Sequence, residues 1–433
     1  MGVPLDTTSM MIKTCNFRNL MKETIPKMDY LTHSIHPYTA KLIPHIPSYF
    51  IEKYTQEHDI VFDPFCGSGT SLLSARLMGR NAIGIDINPL AALISEVKTT
   101  PLDVYKLSTA IHWFKENIKK LNKKVNIEFP NIDYWFCRKA QDELSKIKYC
   151  IETMNGKFDE NVYNFLLVCF SGVVRKSSYA DPRIAKTFKS KRVKEKIEAG
   201  WVPTPIQYFG KTLDRNLERM KSLCEHLSLN ANYVKVFQGD ARETRVILKR
   251  SKIKKVDFII TSPPYINAQD YFRSYKLELW WLGLATPEQV RCLNRQAIGT
   301  ESIYKCNYSS LPKSKYPLLN IILNKIWKVN KKKAHVVFNY FKNMRYVFKE
   351  FQSVLKREGY FCLITGNNTI CGVLLPTYKI LTQIGEDVGF KLIEISRDKI
   401  KNRSLPPNRN HNGGIIKEEW ITVFQKGDRQ NEG

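Results

Sequence analysis

The chain is poor in the features that would tie it to a metal, an export route or a membrane. Its ten cysteines are scattered, with no Cys-x-x-Cys pair and no histidine cluster at zinc-ligand spacing. That excludes the usual zinc signatures, and no metal is expected. The cysteines read as reduced and mostly buried, as in a cytoplasmic protein. Met1 to Cys15 lacks the apolar core of a signal peptide, and the most apolar run, Phe165–Val174, is too short to span a bilayer. Internal repeats and low-complexity segments are absent. Acidic residues are also scarce, 41 against 68 lysines and arginines, which leaves a formal net charge of +27.

The positive excess is unevenly placed. Residues 1–100 are neutral, with nine basic and nine acidic residues, whereas 101–260 carry +14 and 261–433 carry +13. A basic surface of this kind suits a polyanion, and nucleic acid is the first candidate. At 433 residues the chain can bury one large core or two modest ones.

Periodicity predicts a strand over 59–63, a helix over 70–78 closed by Gly79, a strand over 81–86, and a helix capped by Asn88-Pro89 that runs to about Val97. Residues 100–210 show no strand series, but amphipathic helical stretches at 104–121 and 139–154. The apolar run and a basic segment, Arg175 to Lys196, follow. Alternation resumes with a helix near 213–227 and strands near 233–237, 256–261, 360–365, 390–395 and 420–425. This predicts an α/β fold with a doubly wound, mostly parallel, seven-stranded sheet and a mainly helical insertion after its second strand.

Asp63-Pro64-Phe65-Cys66-Gly67-Ser68-Gly69-Thr70 joins the first predicted strand to the first helix. Gly67 and Gly69 supply tight backbone at the carboxyl end of a strand, where open α/β sheets bind ligands. Asp86 ends the next strand 17 residues after Gly69, a spacing that suits a carboxylate on ribose hydroxyls. A dinucleotide loop would need glycine where Leu72 stands, and a phosphate loop would need Gly-Lys-Ser/Thr. Asp63 and Phe65 fit a cofactor with an amino-acid tail, Asp63 near its amine and Phe65 beside the chain.

These residues resemble the cofactor motif of the S-adenosylmethionine-dependent amino DNA methyltransferases, which methylate the exocyclic amine of cytosine or adenine. The resemblance implies a Rossmann-like methyltransferase fold and S-adenosyl-L-methionine as cofactor, held by Asp63, Phe65, Gly67, Gly69, Thr70 and Asp86. His36-Pro37-Tyr38-Thr39-Ala40-Lys41 resembles the segment that closes over the methionine end, which adds Lys41. Gly239-Asp240-Ala241 resembles the position where an acidic side chain, here Asp240, meets the adenine amino group.

Thr261-Ser262-Pro263-Pro264-Tyr265 resembles the family's catalytic loop, at the end of the predicted strand 256–261. Ser262, Pro263, Pro264 and Tyr265 are the expected catalytic residues. The two prolines fix φ and bring no N–H donor, so carbonyls can be aimed inward. The Ser262 hydroxyl and Pro263 carbonyl would accept the two N–H groups of a base amine while Tyr265 stacks on the ring. The target atom is hidden in a duplex, so the base must be flipped out. In this family Ser-Pro-Pro-Tyr goes mainly with N4-cytosine and Asp- or Asn-Pro-Pro-Tyr with N6-adenine. Carbon-5 methylation needs a nucleophilic cysteine, usually after proline, and this chain has no Pro-Cys.

Double-stranded DNA is the expected partner, contacted by Arg175, Lys176, Arg183, Arg273, Lys276, Arg403 and Arg409, with Tyr271, Phe272 and Tyr275 as candidates to line the flipped base. The expected organisation is a cofactor half (1–99), a basic helical region for target recognition (100–210) and a catalytic half (211–433). The leading expectation is a site-specific N4-cytosine DNA methyltransferase of a restriction–modification system, paired functionally with a cognate restriction endonuclease and acting as a monomer or dimer. N6-adenine DNA methylation, an RNA base-amine methyltransferase and an inactive nucleic-acid-binding relative are the alternatives.

Overall fold

The computed structural model of the protein describes residues 12–25, 27–39, 41–227, 232–266, 271–304, 308–400 and 416–427. Its strands are, in chain order, β1 (Lys13–Cys15), β2 (Ile60–Asp63), β3 (Asn81–Asp86), β4 (Val234–Gln238), β5 (Val256–Thr261), β6 (Leu355–Gly366), β7 (Asn368–Ile370), β8 (Val373–Leu375), β9 (Phe390–Lys399) and β10 (Glu418–Lys426). One sheet is ordered β1-β9-β10-β6-β5-β2-β3-β4, and β7 pairs with β8 in a separate hairpin. Every neighbour in the main sheet is parallel except β10, which runs against both β6 and β9. The seven predicted strands are all present. An eighth, the three-residue β1, adds along the outer edge of β9.

The central strands read as unbroken apolar runs because helices cover both of their faces. Val61, Phe258 and Ile260 pack on one side with Phe17, Ile46 and Phe50. Phe62, Ile83 and Ile259 point to the other, against Phe351 and Phe361. The chain leaves β2 for β3 and β4 on one flank and returns for β5 and β6 on the other. The order therefore reverses between β2 and β5, and a crevice opens beyond their carboxyl ends.

Between β3 and β4 the chain is helical, as its pattern predicts: Val104–Asn117, Arg138–Glu152, Glu160–Val174, Lys191–Glu198 and Pro205–His226 are the longer helices. They do not form a core of their own. Phe114, Leu144, Phe170 and Phe209 belong to one apolar cluster with Leu90 and Ile94 of the helix Pro89–Thr99 and with Leu277 and Trp281 of the helix Tyr271–Leu282. Trp281 is fully buried there, with Phe136 and Phe170 edge-on at 5.5 and 6.4 Å. Three further helices, Pro287–Gln296, Pro317–Val329 and Lys331–Val354, occupy the stretch before β6 for which the pattern gave no element.

Local chemistry sets the ends that matter for the crevice. Asn88 caps the helix Pro89–Thr99 by accepting the Leu90 N–H, with Pro89 at the first helical position. Gly69 precedes the helix Thr70–Leu77 in the left-handed region, φ +77°, with Ser95 pressed against it. A Cβ there would lie 2.8 Å from Ser95 Oγ and 3.0 Å from its Cα. Gly69→Ala is therefore expected to cost about 2–4 kcal/mol, strain and overpacking combined. Gly200→Ala, at φ +80° with no atom within 4 Å of the new Cβ, should cost only about 1–2 kcal/mol. Urea unfolding midpoints of the two variants check the difference.

Candidate active site

The crevice at the β2–β5 reversal is built around two carboxylates, Asp63 buried and Asp86 partly buried. Asp63, at the end of β2, accepts the Thr261 hydroxyl of β5 at 2.6 Å and the Phe65 N–H at 3.1 Å through Oδ1. Burial pushes its carboxyl up to about 6, against the pull of its hydrogen bonds from Thr261, Ser71 and Phe65. Asp86, at the end of β3, accepts the N–H of Gly67 at 2.9 Å and of Asn88 at 2.8 Å. It too is pushed up to about 6 by burial. The glycine loop is thus folded onto Asp86, and Gly67 takes φ +52° to present its N–H. Asp63, Phe65, Gly67, Thr70 and Asp86 all line the cavity, whereas Gly69 does not; its role is the close approach to Ser95.

The upstream segment closes one side. Lys41 lines the cavity and donates to the carbonyls of His33 and His36, both at 3.3 Å. Tyr38 stacks on Tyr275 with centroids 4.6 Å apart and planes 3° apart. The Tyr275 hydroxyl accepts the Thr39 N–H at 2.5 Å and donates to Thr39 Oγ1 at 3.0 Å. Tyr275 also marks a kink in the helix Tyr271–Leu282. It is therefore a buried clasp between two chain segments, while Tyr271 and Phe272 reach the cavity.

Asp240 lines the cavity from beyond β4, with its carboxylate gripped by Arg242, Nη2 to Oδ2 2.5 Å and Nε within 3.1 Å of both oxygens. Arg242 also donates to the Gln296 carbonyl and to Asn343. Ser262 and Pro264 face the same cavity as these acids; Pro263 is buried and lines none of it. Tyr265 also lies outside the lining. Its phenol is hydrogen-bonded to Ser262 and pushed up by burial. Asn294 and residues Ala297 to Ser302 form a further wall that the pattern did not single out. Gly299 sits against the Tyr265 carbonyl, so this wall backs the catalytic loop.

Two comparisons bear on the chain as a whole. Residues 16–96 match the family described as DNA methylase, of N6/N4 type. The Type II methyltransferase M.MvaI of Kocuria varians is 28% identical over 399 residues, which is 87% of this chain and 86% of that protein. These similarities support an amino-DNA methyltransferase. The Type II methyltransferase M.BsoBI of Geobacillus stearothermophilus is 24% identical over 413 residues, 85% of this methyltransferase and 80% of that one. Among solved structures, an rRNA methyltransferase of Streptomyces viridochromogenes covers 95% of this chain and 96% of its own at 9% identity and a TM-score of 0.33, a likeness too slight to bear on function.

S-adenosylmethionine, the methyl donor of such an enzyme, fits the groups present. The cavity offers carboxylates for hydroxyl and ammonium donors, the ammonium groups of Lys41 and Lys186 for an anionic group, and apolar surface from Phe65 and Ile87.

The methyltransferase uses several of its expected DNA-contact side chains internally. Arg175 points inward and donates to the carbonyls of Ser274, Ile184, Ala185 and Lys186. Those bonds make it a strut for the loop 181–190. Arg183 pairs with the buried Asp181, and Lys176 and Lys276 lie over the rings of Tyr208 and of Trp135 and Trp280. Arg273 lines the cavity, joined there by Lys186, which the pattern had left within a general basic stretch. Arg403 and Arg409 lie outside the described residues. Among the described residues no helix is long and apolar enough to cross a membrane, and no histidine, cysteine and carboxylate group could hold a metal.

The two raised carboxyls fix the sign of a pH effect. Folded Asp63 holds a proton up to about pH 6 that the unfolded chain releases near the ordinary aspartate value of 3.8. Stability from this group therefore falls as pH rises through that window. Asp63→Asn keeps the Oδ1 acceptor for Thr261 and Phe65. It is expected to raise stability at pH 7.5, by on the order of 2 kcal/mol, and to lose that gain at pH 4. Thermal melts at the two pH values test this; an equal shift at both would remove the carboxyl's burial as the cause.

Proposed function

We propose that this methyltransferase is the modification enzyme of a Type II restriction–modification system. In this reading it methylates the exocyclic N4 amine of cytosine at a specific site in double-stranded DNA. One observation carries it: Ser262 and Pro264 open onto the same cavity as Asp63, Asp86, Asp240 and Lys41. Donor and acceptor halves, some 200 residues apart in sequence, share one chamber. The lengthwise similarity to Type II methyltransferases supports the system, and serine at the head of Ser262-Pro263-Pro264-Tyr265 supports cytosine.

Asp86 takes the ribose hydroxyls, Asp63 the ammonium of the amino-acid tail, and Asp240 the adenine end. S-adenosylmethionine supplies an electrophilic methyl group. The chain's own residues prepare the other reactant. A base amine is a poor nucleophile because its lone pair is delocalised into the ring. Ser262 Oγ, on the cavity wall, accepts an N–H of the amine and helps hold the nitrogen pyramidal, which frees the lone pair for in-line attack. The nitrogen–methyl bond would form as the donor's sulfur–methyl bond breaks, with S-adenosylhomocysteine as the leaving group, and the methylated amine would lose one proton to water. No covalent enzyme intermediate is needed, so the rate comes from positioning and from acceptors fixed in advance.

Tyr265, hydrogen-bonded to Ser262, holds that acceptor from behind the cavity wall. Lys186 and Arg273, at the cavity, take phosphates beside the extruded nucleotide. The basic helical region between β3 and β4 carries target recognition, helped by the wall at 294–302.

Ser262→Ala should lower kcat by about 100-fold or more, the scale of losing one aimed hydrogen-bonding group, with cofactor affinity unchanged. Tyr265→Ala should do the same on duplex DNA. Mass spectrometry of nucleosides from methylated duplex DNA and from tRNA checks the product. N4-methylcytosine from duplex DNA is the expected result. N6-methyladenine would replace the base assignment, and label in tRNA alone would sink the DNA reading.

A further inference from the structure

Arg242 joins two walls of the cavity through one guanidinium, a link that the proposed chemistry leaves unused. Its Nε lies 3.0 and 3.1 Å from the two carboxylate oxygens of Asp240, and Nη2 donates to Oδ2 as well. Nη2 also donates to the Gln296 carbonyl at 2.7 Å, and Nη1 to Asn343 Oδ1 at 3.1 Å. All but one of the guanidinium N–H groups are engaged in this way. Asp240 Oδ1 takes the backbone N–H of Arg242 too, at 2.9 Å. The carboxylate is thus fixed in direction before a ligand meets it, and it still lines the cavity.

The far side of the link is the wall at 294–302. Asn294 and Ala297 line the cavity on either side of Gln296. Gly299 packs against the catalytic loop, since a Cβ built on it would lie 3.4 Å from the Tyr265 carbonyl. Glu301 pairs with Lys333 at 2.8 Å, so the wall is tied to the helix Lys331–Val354 there as well as through Arg242 and Asn343. A recess lined by Ile87, Arg242, Leu293 and Gln296 lies against the link and gives it room to shift. A guanidinium is planar, and its donors keep fixed angles. A movement of the Asp240 carboxylate is therefore passed on to the Gln296 carbonyl, where a flexible ammonium could hold one and release the other.

We propose that Arg242 is a positioning residue that couples the two binding steps. A cofactor whose adenine amino group engages Asp240 draws the guanidinium, and with it the wall at 294–302, into the arrangement that holds the target nucleotide. The proposal rests on the reading of this cavity as the shared chamber of S-adenosylmethionine and an extruded DNA base. Arg242 does not itself line that chamber. It acts through Asp240 on one side and through Gln296 on the other, and by linkage DNA tightens cofactor binding by the same factor.

The test follows binding of a fluorescent duplex, carrying the site that wild type methylates, by anisotropy. Affinity is measured alone and with saturating S-adenosylhomocysteine or S-inosylhomocysteine, which bears a carbonyl in place of the adenine amino group. In wild type the first ligand should tighten DNA binding about 5-fold or more, the usual scale of coupling between two sites, and the second far less. Arg242→Lys keeps the charge but not the fork. It should bind the duplex as wild type does without ligand, and gain nothing from S-adenosylhomocysteine. Asn343→Ala, which cuts only the outer anchor, should keep wild-type affinity for S-adenosylhomocysteine in the absence of DNA and lose most of the gain. An undiminished gain in either variant, equal gains from the two ligands in wild type, or a wild type with no gain would each overturn the proposal. So would a DNA affinity that falls by one factor with and without ligand, the mark of a merely structural role. A wild type that methylates no duplex DNA, or binds no S-adenosylhomocysteine, would instead overturn the reading of the chamber beneath it. Melting curves of each variant show that the fold is retained.

Discussion

The hydrogen bond from the Thr261 hydroxyl to Asp63 holds the site together. It is buried, 2.6 Å long, and ties the end of β2 to the end of β5 where the strand order reverses. One side of this tie carries the glycine loop and the other carries Ser262. If the two strand ends parted, the cofactor-facing and base-facing residues would no longer share a chamber. The carboxylate that makes the tie is held in a setting that resists its charge. Active sites commonly keep such a group at some cost in stability, because function needs its charge there.

A second set of contacts closes the chamber from outside the sheet. Tyr38 and Tyr275 stack face to face, Thr39 hydrogen-bonds the Tyr275 hydroxyl, and Arg242 links Asp240 to the Gln296 carbonyl and Asn343. Each contact joins segments far apart in sequence. They make three otherwise irregular stretches, at 31–41, 240–243 and 294–302, walls of one cavity.

Most of the sheet was legible in the sequence because its strands are short apolar runs that end in motif residues. Asn81–Asp86 and Val256–Thr261 were placed to the residue, and the cofactor and catalytic loops follow directly from them. What was not legible has physical reasons. Strand β1 is three residues long and pairs on one side only, too little for periodicity to register. The helix Lys331–Val354 is rich in lysine and aromatic residues, and the charge masked the apolar stripe formed by Val337, Phe341, Phe348 and Phe351. The arginine and lysine side chains were the hardest. Sequence shows a cation, but not whether carbonyls, a carboxylate or an aromatic ring already surrounds it, as they do Arg175, Arg183 and Lys276.

The apolar cluster common to the helices between β3 and β4, the helix Pro89–Thr99 and the helix Tyr271–Leu282 limits how such a protein can change. A recognition module with its own core can be exchanged like a cassette, leaving the catalytic sheet untouched. Here Phe170 shares one cluster with Leu90, Ile94 and Trp281, so replacing the region wholesale would uncover the helices Pro89–Thr99 and Tyr271–Leu282. On the proposed reading of this region as the target reader, new sequence preference would have to arise by substitutions in exposed loops on an unchanged helical frame. Lineages of this architecture would then diverge in target one side chain at a time, with their interiors changing more slowly than their rims.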